Sequence, residues 1–440
     1  MDFPEHFLWG AATASYQIEG GGLQEGRGEC IWHRFSHTPG KVLNGDTGDV
    51  ACDHLHRYRE DVALMAELGL DAYRFSISWP RVLPAGTGAT NAAGLDFYDR
   101  LVDALLEVNI RPFVTLYHWD LPQALQDQGG WENPASVQWF ADYTGLMAQR
   151  LGDRVKDWIT INEPWVIAFL GNFTGEHAPG KQDLRAAYQV AHHLLLAHAA
   201  AIPVIRAAVP DARAGITLNV NYIDAATDSE ADQQAARRQD GYVARWFLDP
   251  LYRGQYPQDM VDWLGDTLSG IDLAAVSAAT VPTDFLGINY YTRNTVAHAD
   301  EGPFQTKMIT HAGSLYTEMG WEVYPDGLRR LLIRLHEDYA PGAIYITENG
   351  AAFEDPPPAN GVIEDPLRVA YLEAHFEAAS QAIAAGVPLK GYFVWSLLDN
   401  FEWAYGYSKR FGIIYVDYET QRRVLKRSAL YLQRVIRGEV

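Results

Sequence analysis

The sequence predicts an α/β chain folded as a single (β/α)8 (TIM) barrel over residues 1–440, with extended βα loops. The first observation is rhythm: roughly eight apolar, strand-like runs alternate with helix-sized amphipathic segments, the crossovers that a parallel sheet needs. The second is the missing dinucleotide signature. An open doubly wound sheet is the alternative, but no GxGxxG follows an early strand, and the glycines of "EGGGLQEGRG" (19–28) lack both the spacing and the apolar helix of a phosphate cradle. Third, no internal repeat, low-complexity tail or interdomain linker divides the 440 residues, and large barrels run past the usual domain length.

The elements follow in order. "FLWGAAT" opens the series as a strand. "EDVALMAELG" then places Val62, Met65, Ala66 and Gly69 at helical spacing, with Gly69 as a C-cap. "DAYRFSISW" (71–79) is the next strand. "LDFYDRLVDALLEVN" is a helix on Leu101, Leu105 and Val108 that stops at Asn109. "RPFVTLYHW" (111–119) follows, then a helix over 136–151 ending near Gly152, then "DWITINEP". "RAGITLNVN" (213–221), "DFLGINYY" (284–291), "AIYITENG" (343–350) and "KGYFVWSLLD" (390–399) complete the strands. The remaining length falls in loop insertions at 20–50, 292–325 and the Pro-rich 354–361.

Composition excludes several classes. Hydrophobic residues make up 48%, ample for a large core, and the reading finds no stretch approaching a membrane span. "MDFPEHFLWG" lacks the basic and apolar regions of a signal peptide, and Cys30 and Cys52 read as two buried free thiols. Together these place the chain in the cytoplasm. A net charge of −21 argues against nucleic acid and anionic membranes, and mildly against phosphorylated substrates.

In a (β/α)8 barrel the strands' C-terminal ends carry the chemistry. Here they hold His118–Trp119, Asn162–Glu163, Asn219, Asn289–Tyr291, Glu348–Asn349 and Trp395, with Arg74 inside the second strand. Gln17 follows the first strand, and Glu402 and Trp403 follow the last. Amides, carboxylates and one His suit sugar hydroxyls, and Trp395 and Trp403 offer flat walls to the C–H face of a pyranose. Two apolar strands run straight into Glu163 and Glu348, which would face each other roughly across the mouth. Pro164 keeps Glu163 out of helical backbone, and Asn349–Gly350 turns the chain just past Glu348. Paired carboxyls are what glycosidic cleavage requires: one to protonate the leaving oxygen, one on the opposite ring face.

The ordered set "FLWGAATASYQIEG", "DVACDHLHRYREDV", "YRFSISWPR", "LYHWDLP", "NEPW", "NYY", "ITENG" and "DNFEWAYGYSKRFGIIYVDY" resembles glycoside hydrolase family 1 along essentially the whole chain, close to its bacterial β-glucosidases. The resemblance implies a retaining β-glycosidase acting on small β-glucosides and cello-oligosaccharides, with Glu163 as acid/base and Glu348 as nucleophile. It implies glycone contacts from Gln17, His118, Trp119, Asn162, Trp395, Glu402, Trp403 and Phe411. Arg74 and Tyr291 would contact the nucleophile, with Asn289 completing that shell. It further implies carboxyls about 5 Å apart and a covalent glycosyl-enzyme intermediate, with no cofactor and no metal.

Rival readings have residue-level consequences. A Schiff-base aldolase needs a strand-end lysine, whereas Lys156 and Lys390 precede their strands. A metallohydrolase needs a ligand cluster, whereas His54 and His56 lie before a helix and His192–His193 within one. A sugar-binding barrel without activity would be expected to have lost one of the two glutamates. Galactosidase and fucosidase specificities stay open. 6-Phospho-β-glycosidases of the family carry Ser at the Glu402 position; Lys409 matches their pattern, and Glu402, read as a charged acceptor, opposes a phosphate. Aglycone preference would rest on loop positions such as Val166, Asn219, Tyr291 and Trp321.

Overall fold

The computed structural model describes residues 1–358 and 361–440. Eight parallel strands close into a barrel: β1 (Leu8–Ala12), β2 (Ala72–Ser76), β3 (Arg111–Tyr117), β4 (Asp157–Asn162), β5 (Arg213–Asn219), β6 (Phe285–Asn289), β7 (Ile344–Asn349) and β8 (Leu389–Trp395). Each strand pairs with its chain neighbours, and β1 closes the ring against both β2 and β8. Residues on β2, β4, β6 and β7 are buried throughout, as expected of strands covered on one side by helices and on the other by the barrel interior. That interior is filled by rings: Phe113 lies 4.9 Å from Phe393 and 5.4 Å from Tyr345. Room for them is made opposite. A Cβ on Gly10 would come within 2.5 Å of the Phe393 ring.

The strands are shorter than their apolar runs. The run 71–79 leaves the sheet after Ser76, and Trp79–Val82 turn into a helix. The run 111–119 leaves after Tyr117, because Trp119 has a φ of 79°. The first crossover helix, His54–Leu68, starts well before residue 60, so His54 and His56 lie in its first turn rather than ahead of it. Its buried face is Val62, Met65 and Leu68, while Ala66 is exposed. Gly69 and Asn109 take the left-handed backbone expected of helix stops, at φ 76° and 61°.

Two expectations need correction. The insertion 292–325 contains Arg293–His298 and Thr306–Ile309, which build a three-stranded sheet with Tyr222–Ala225. These strands are short and partly exposed, so they lack an apolar run. Second, one stretch does reach membrane-span length: Leu184–Ala208 is a 25-residue helix that contains an 18-residue window with a mean hydropathy of 1.3. It is apolar on most sides because it is sandwiched between β4 and β5 and the helix Ser136–Leu151. Of the Pro-rich insertion at 354–361, residues 359 and 360 lie outside the described residues.

Candidate active site

At the C-terminal mouth of the barrel a cavity of about 360 Å³ opens. Nine of the residues proposed from sequence line it: His118, Trp119, Glu163, Tyr291, Glu348, Trp395, Glu402, Trp403 and Phe411. Gln17, Arg74, Asn162 and Asn289 stand directly behind that wall, buried and hydrogen-bonded to it.

Glu348 ends β7. Its Oε1 accepts from Arg74 Nη1 at 2.5 Å and its Oε2 from the Tyr291 hydroxyl at 2.6 Å. Arg74 is fully buried on β2, and its other donors are used: Nε on Thr115 Oγ1, Nη1 on the Thr347 carbonyl, Nη2 on Asn162 Oδ1. Arginine's guanidinium is a permanent positive charge in proteins, so this one stands fixed against the carboxylate. Burial pushes the Glu348 carboxyl upward, and the Arg74 charge is the largest force opposing it, followed by the Tyr291 hydrogen bond.

Glu163 follows β4 and is treated differently. Its Oε1 accepts from Asn289 Nδ2 at 2.6 Å. Burial, then the Glu348 charge, push its carboxyl up to about 8. With one carboxylate electrostatically anchored and its neighbour not, the pair holds one proton and keeps it on Glu163. Asn289 stands between the two: beyond donating to Glu163, its side chain also helps lower Glu348. Asn162 Oδ1 accepts from both Arg74 and Asn289, at 2.6 and 3.1 Å, tying the two carboxyl environments together.

Backbone geometry aims these groups in a way that sequence did not reveal. Among the described residues, every register shift in the barrel involves β4 or β7, the two carboxyl-bearing strands. Near the mouth they fall between Ile159 and Asn162 on β4 and, on β7, between Ile346 and Glu348 against β6 and between Ile346 and Asn349 against β8; one more lies at the far end of β7, between Ile344 and Tyr345. Such irregularities re-aim a side chain next to a site. Glu163 itself leaves the right-handed helical region as expected, but through a positive φ of 51° rather than extended backbone. Its N–H donates to the Thr217 carbonyl at 2.9 Å, which holds it there. Trp119 and Trp403 also have positive φ, 79° and 49°, so three bulky lining residues store backbone strain around one cavity.

Neutral hydrogen-bonding groups complete the wall. Asn162 Nδ2 meets His118 Nε2 at 3.1 Å, which makes Nε2 the acceptor and puts the ring proton on Nδ1. Burial, then the Arg74 charge, hold His118 well below its usual value, so it is a neutral imidazole. Its Nδ1 and Gln17 Oε1 are both buried without a protein partner. The His118 ring stacks near Trp395 and Trp403, with centroids 5.9 Å away in each case. Gln17 Nε2 donates to Asn400 Oδ1, the Phe401 carbonyl and Glu402 Oε2.

Glu402 corrects one expectation. Burial, then the Glu348 charge, push it up to about 8, so near neutral pH it is mostly protonated rather than a charged acceptor. A carboxyl in that state both donates to and accepts from hydroxyls. Lys409 is also absent from the wall; its Nζ donates to the Glu318 carbonyl at 2.7 Å. No Lys or Arg is among the residues lining the cavity, which leaves a phosphate without a cation there.

The outer cavity holds Val166, Asn219, Tyr291 and Trp321, the four loop positions flagged for an aglycone. It also holds Trp165, Glu176, His177, Asn221, Asn294, Met319 and Tyr405, which sequence reading missed. They come from the four βα loops after β4, β5, β6 and β8, and no local pattern distinguishes them from other loop residues. Of the residues of the rival readings, Lys156 is engaged on Asp211, His54 on Asp61, His56 on Asp53, His192 on Tyr256 and His193 on the Trp131 carbonyl.

Known proteins resemble this chain in sequence and in fold. The model of glycosyl hydrolase family 1 matches residues 1–439. The chain is 51% identical to beta-glucosidase A of Thermotoga maritima over 439 residues, covering 99% of this chain and 98% of that one. It is 50% identical to a 1,4-beta-D-glucan glucohydrolase of Thermotoga neapolitana, with the same coverage. Among solved structures, a family 1 β-glucosidase from Thermotoga maritima in complex with isofagomine lactam superposes with a TM-score of 0.97 at 50% identity, covering 99% of each chain.

Proposed function

The chain belongs to glycosyl hydrolase family 1, and on that premise we propose that it is a retaining β-glucosidase releasing terminal glucosyl residues from small β-glucosides and cello-oligosaccharides. The observation that carries the reading is the unequal treatment of the two carboxyls. Glu348 is held toward its charged form by Arg74 and Tyr291, whereas Glu163 is held protonated by burial and by the charge of Glu348. In the first step the Glu348 carboxylate attacks the anomeric carbon while Glu163 gives its proton to the departing glycosidic oxygen. The C–O bond to the aglycone breaks and a glycosyl ester forms. Esterification removes the Glu348 charge, which removes one of the forces raising Glu163. Glu163, now the more acidic, takes a proton from water as the water attacks, and the ester returns to carboxylate. No step draws on a metal or cofactor.

Glycone recognition falls to Gln17, His118, Trp119, Asn162, Trp395, Glu402, Trp403 and Phe411. The unpartnered Nδ1 of His118 and Oε1 of Gln17 supply one donor and one acceptor. Trp165, Trp321 and Tyr405 in the outer cavity suit a second sugar, which supports cello-oligosaccharides and a role in cellulose degradation. Two free buried cysteines fit a cytoplasmic setting. A single domain over 1–440 is supported by the terminal helix Arg427–Ile436, which packs back on His54–Leu68. The test is Glu348→Ala assayed on nitrophenyl β-glycosides with and without azide. Nearly complete loss, partly restored by azide as the α-glycosyl azide, is expected; a β-configured azide or full activity would overturn the roles.

A further inference from the structure

A second cluster of coordinating side chains lies outside the cavity. His33, in the helix Ile31–Ser36, and His37, just past its end, are four residues apart and so share one face. Their ring centroids are 4.1 Å apart. Asp49, from the loop before the helix His54–Leu68, faces both: its Oδ1 lies 3.4 Å from His33 Nδ1 and its Oδ2 3.0 Å from His37 Nε2. One ligand atom from each residue falls within 4.8 Å of the other two. None of the three lines the catalytic cavity.

Simple ion pairing explains this arrangement poorly. His37 Nδ1 lies 2.7 Å from the His33 carbonyl, so it carries a proton and donates it. A charge-assisted N–H···O bond closes to about 2.7–2.9 Å, yet the His33 contact stays at 3.4 Å. His33 Nδ1 and Asp49 Oδ1 are both shielded from solvent without a hydrogen-bond partner. Spacing of this order is what a tetrahedral ion imposes: metal–ligand bonds of about 2.0–2.1 Å put neighbouring ligand atoms about 3.3 Å apart. The bond from His37 Nδ1–H to a backbone carbonyl is the arrangement that orients a metal-bound imidazole.

The geometry points to a site for a divalent transition cation of the Zn²⁺ type, held by His33, His37 and the Asp49 carboxylate. Two imidazole nitrogens disfavour Ca²⁺ and Mg²⁺, which take oxygen ligands. Bound there, the ion would tie the helix Ile31–Ser36 to the 46–50 loop without touching the hydrolytic chemistry. The helix also carries Trp32, whose ring lies 4.6 Å from Trp403 on the cavity wall.

The experiment is equilibrium dialysis of chelator-treated full-length protein against micromolar Zn²⁺, with elemental analysis, on wild type, His37→Ala and Asp49→Asn. One zinc per chain is expected for wild type, with binding at least about tenfold weaker in each variant. Unchanged β-glucoside turnover in the variants would show that they fold. Replacement by Co²⁺ should give the visible absorption of a tetrahedral centre in wild type and lose it in both variants. No zinc retained by wild type, or equal retention by all three proteins, would overturn the site.

Discussion

Replacing Glu163 by Gln should stabilise the protein while disabling it, and the gain should grow with pH. The carboxyl is buried, and its value rises from 4.5 to about 8 on folding. Folding therefore favours the protonated form. The stability this group contributes is fully present below about pH 4.5 and is lost as pH rises through 8. Integrating between those values gives a penalty from the wild-type side chain of under 1 kcal/mol at pH 5, roughly 3 at pH 7 and nearly 5 at pH 9. The amide removes it, because Gln stays neutral and its oxygen can still accept from Asn289. A chain of 440 residues has an unfolding entropy near 0.9 kcal/mol/K, so the Tm gain should be about 1 °C at pH 5, 3–4 °C at pH 7 and 5 °C at pH 9. Calorimetry at matched scan rates reads this directly, and hydrolysis of poor-leaving-group glucosides measures the lost function. A gain that is constant with pH, or a variant less stable than wild type at pH 9, would refute the assignment of the proton to Glu163.

Arg74→Lys should lower kcat and move the acid limb of the kcat/KM profile to higher pH, because one ammonium cannot hold Glu348 and Asn162 together as the guanidinium does; an unmoved limb would show that Arg74 does not set the Glu348 charge. Glu402→Ser should weaken glucoside turnover by roughly tenfold or more, each lost hydroxyl contact costing about 1 kcal/mol. It should bring no gain on 6-phosphoglucosides, since Lys409 is held by Glu318 and no cation lines the cavity; a large gain measured on the nitrophenyl 6-phosphate would contradict that. Lys426→Met should lower Tm and kcat/KM together. Lys426 is fully buried between Asp355 and Asp399, and Asp399 also accepts from Gly412 N–H and Arg410, closing the neck of the loop that carries Glu402, Trp403 and Phe411. Removing the buried cation leaves Asp355 with Arg368 and Asp399 with Arg410 as their remaining partners, a loss of up to roughly 3–5 kcal/mol, and wild-type stability in the variant would show the network to be dispensable.

Much of the site was legible because a barrel converts sequence position into location. Once "WITIN" and "IYIT" read as strands, Glu163 and Glu348 had to emerge on one rim, and His118 and Trp395 with them. Arg74 was also visible, as a charge inside the second strand. The outer cavity was not legible. Glu176 and His177, Asn221, and Asn294 come from three separate loops, whose paths depend on packing against one another rather than on any period in the chain.

What the sequence alone determined is therefore the alternation of strand and helix, the rim on which the polar residues gather, and the identity of the two carboxyls. These rest on local properties: apolar periodicity, helix stops such as Gly69 and Asn109, and residue chemistry. Tertiary structure decided which carboxyl keeps the proton. Glu163 and Glu348 are the same side chain, and they differ because Arg74 from β2 and Tyr291 from the segment after β6 converge on one of them. It also reversed the expected state of Glu402, since no stretch of "DNFEWAYG" records how deeply that loop folds into the mouth or how near it comes to Glu348. Charge state depends on burial and on neighbours distant in the chain, and both exist only after the barrel has closed.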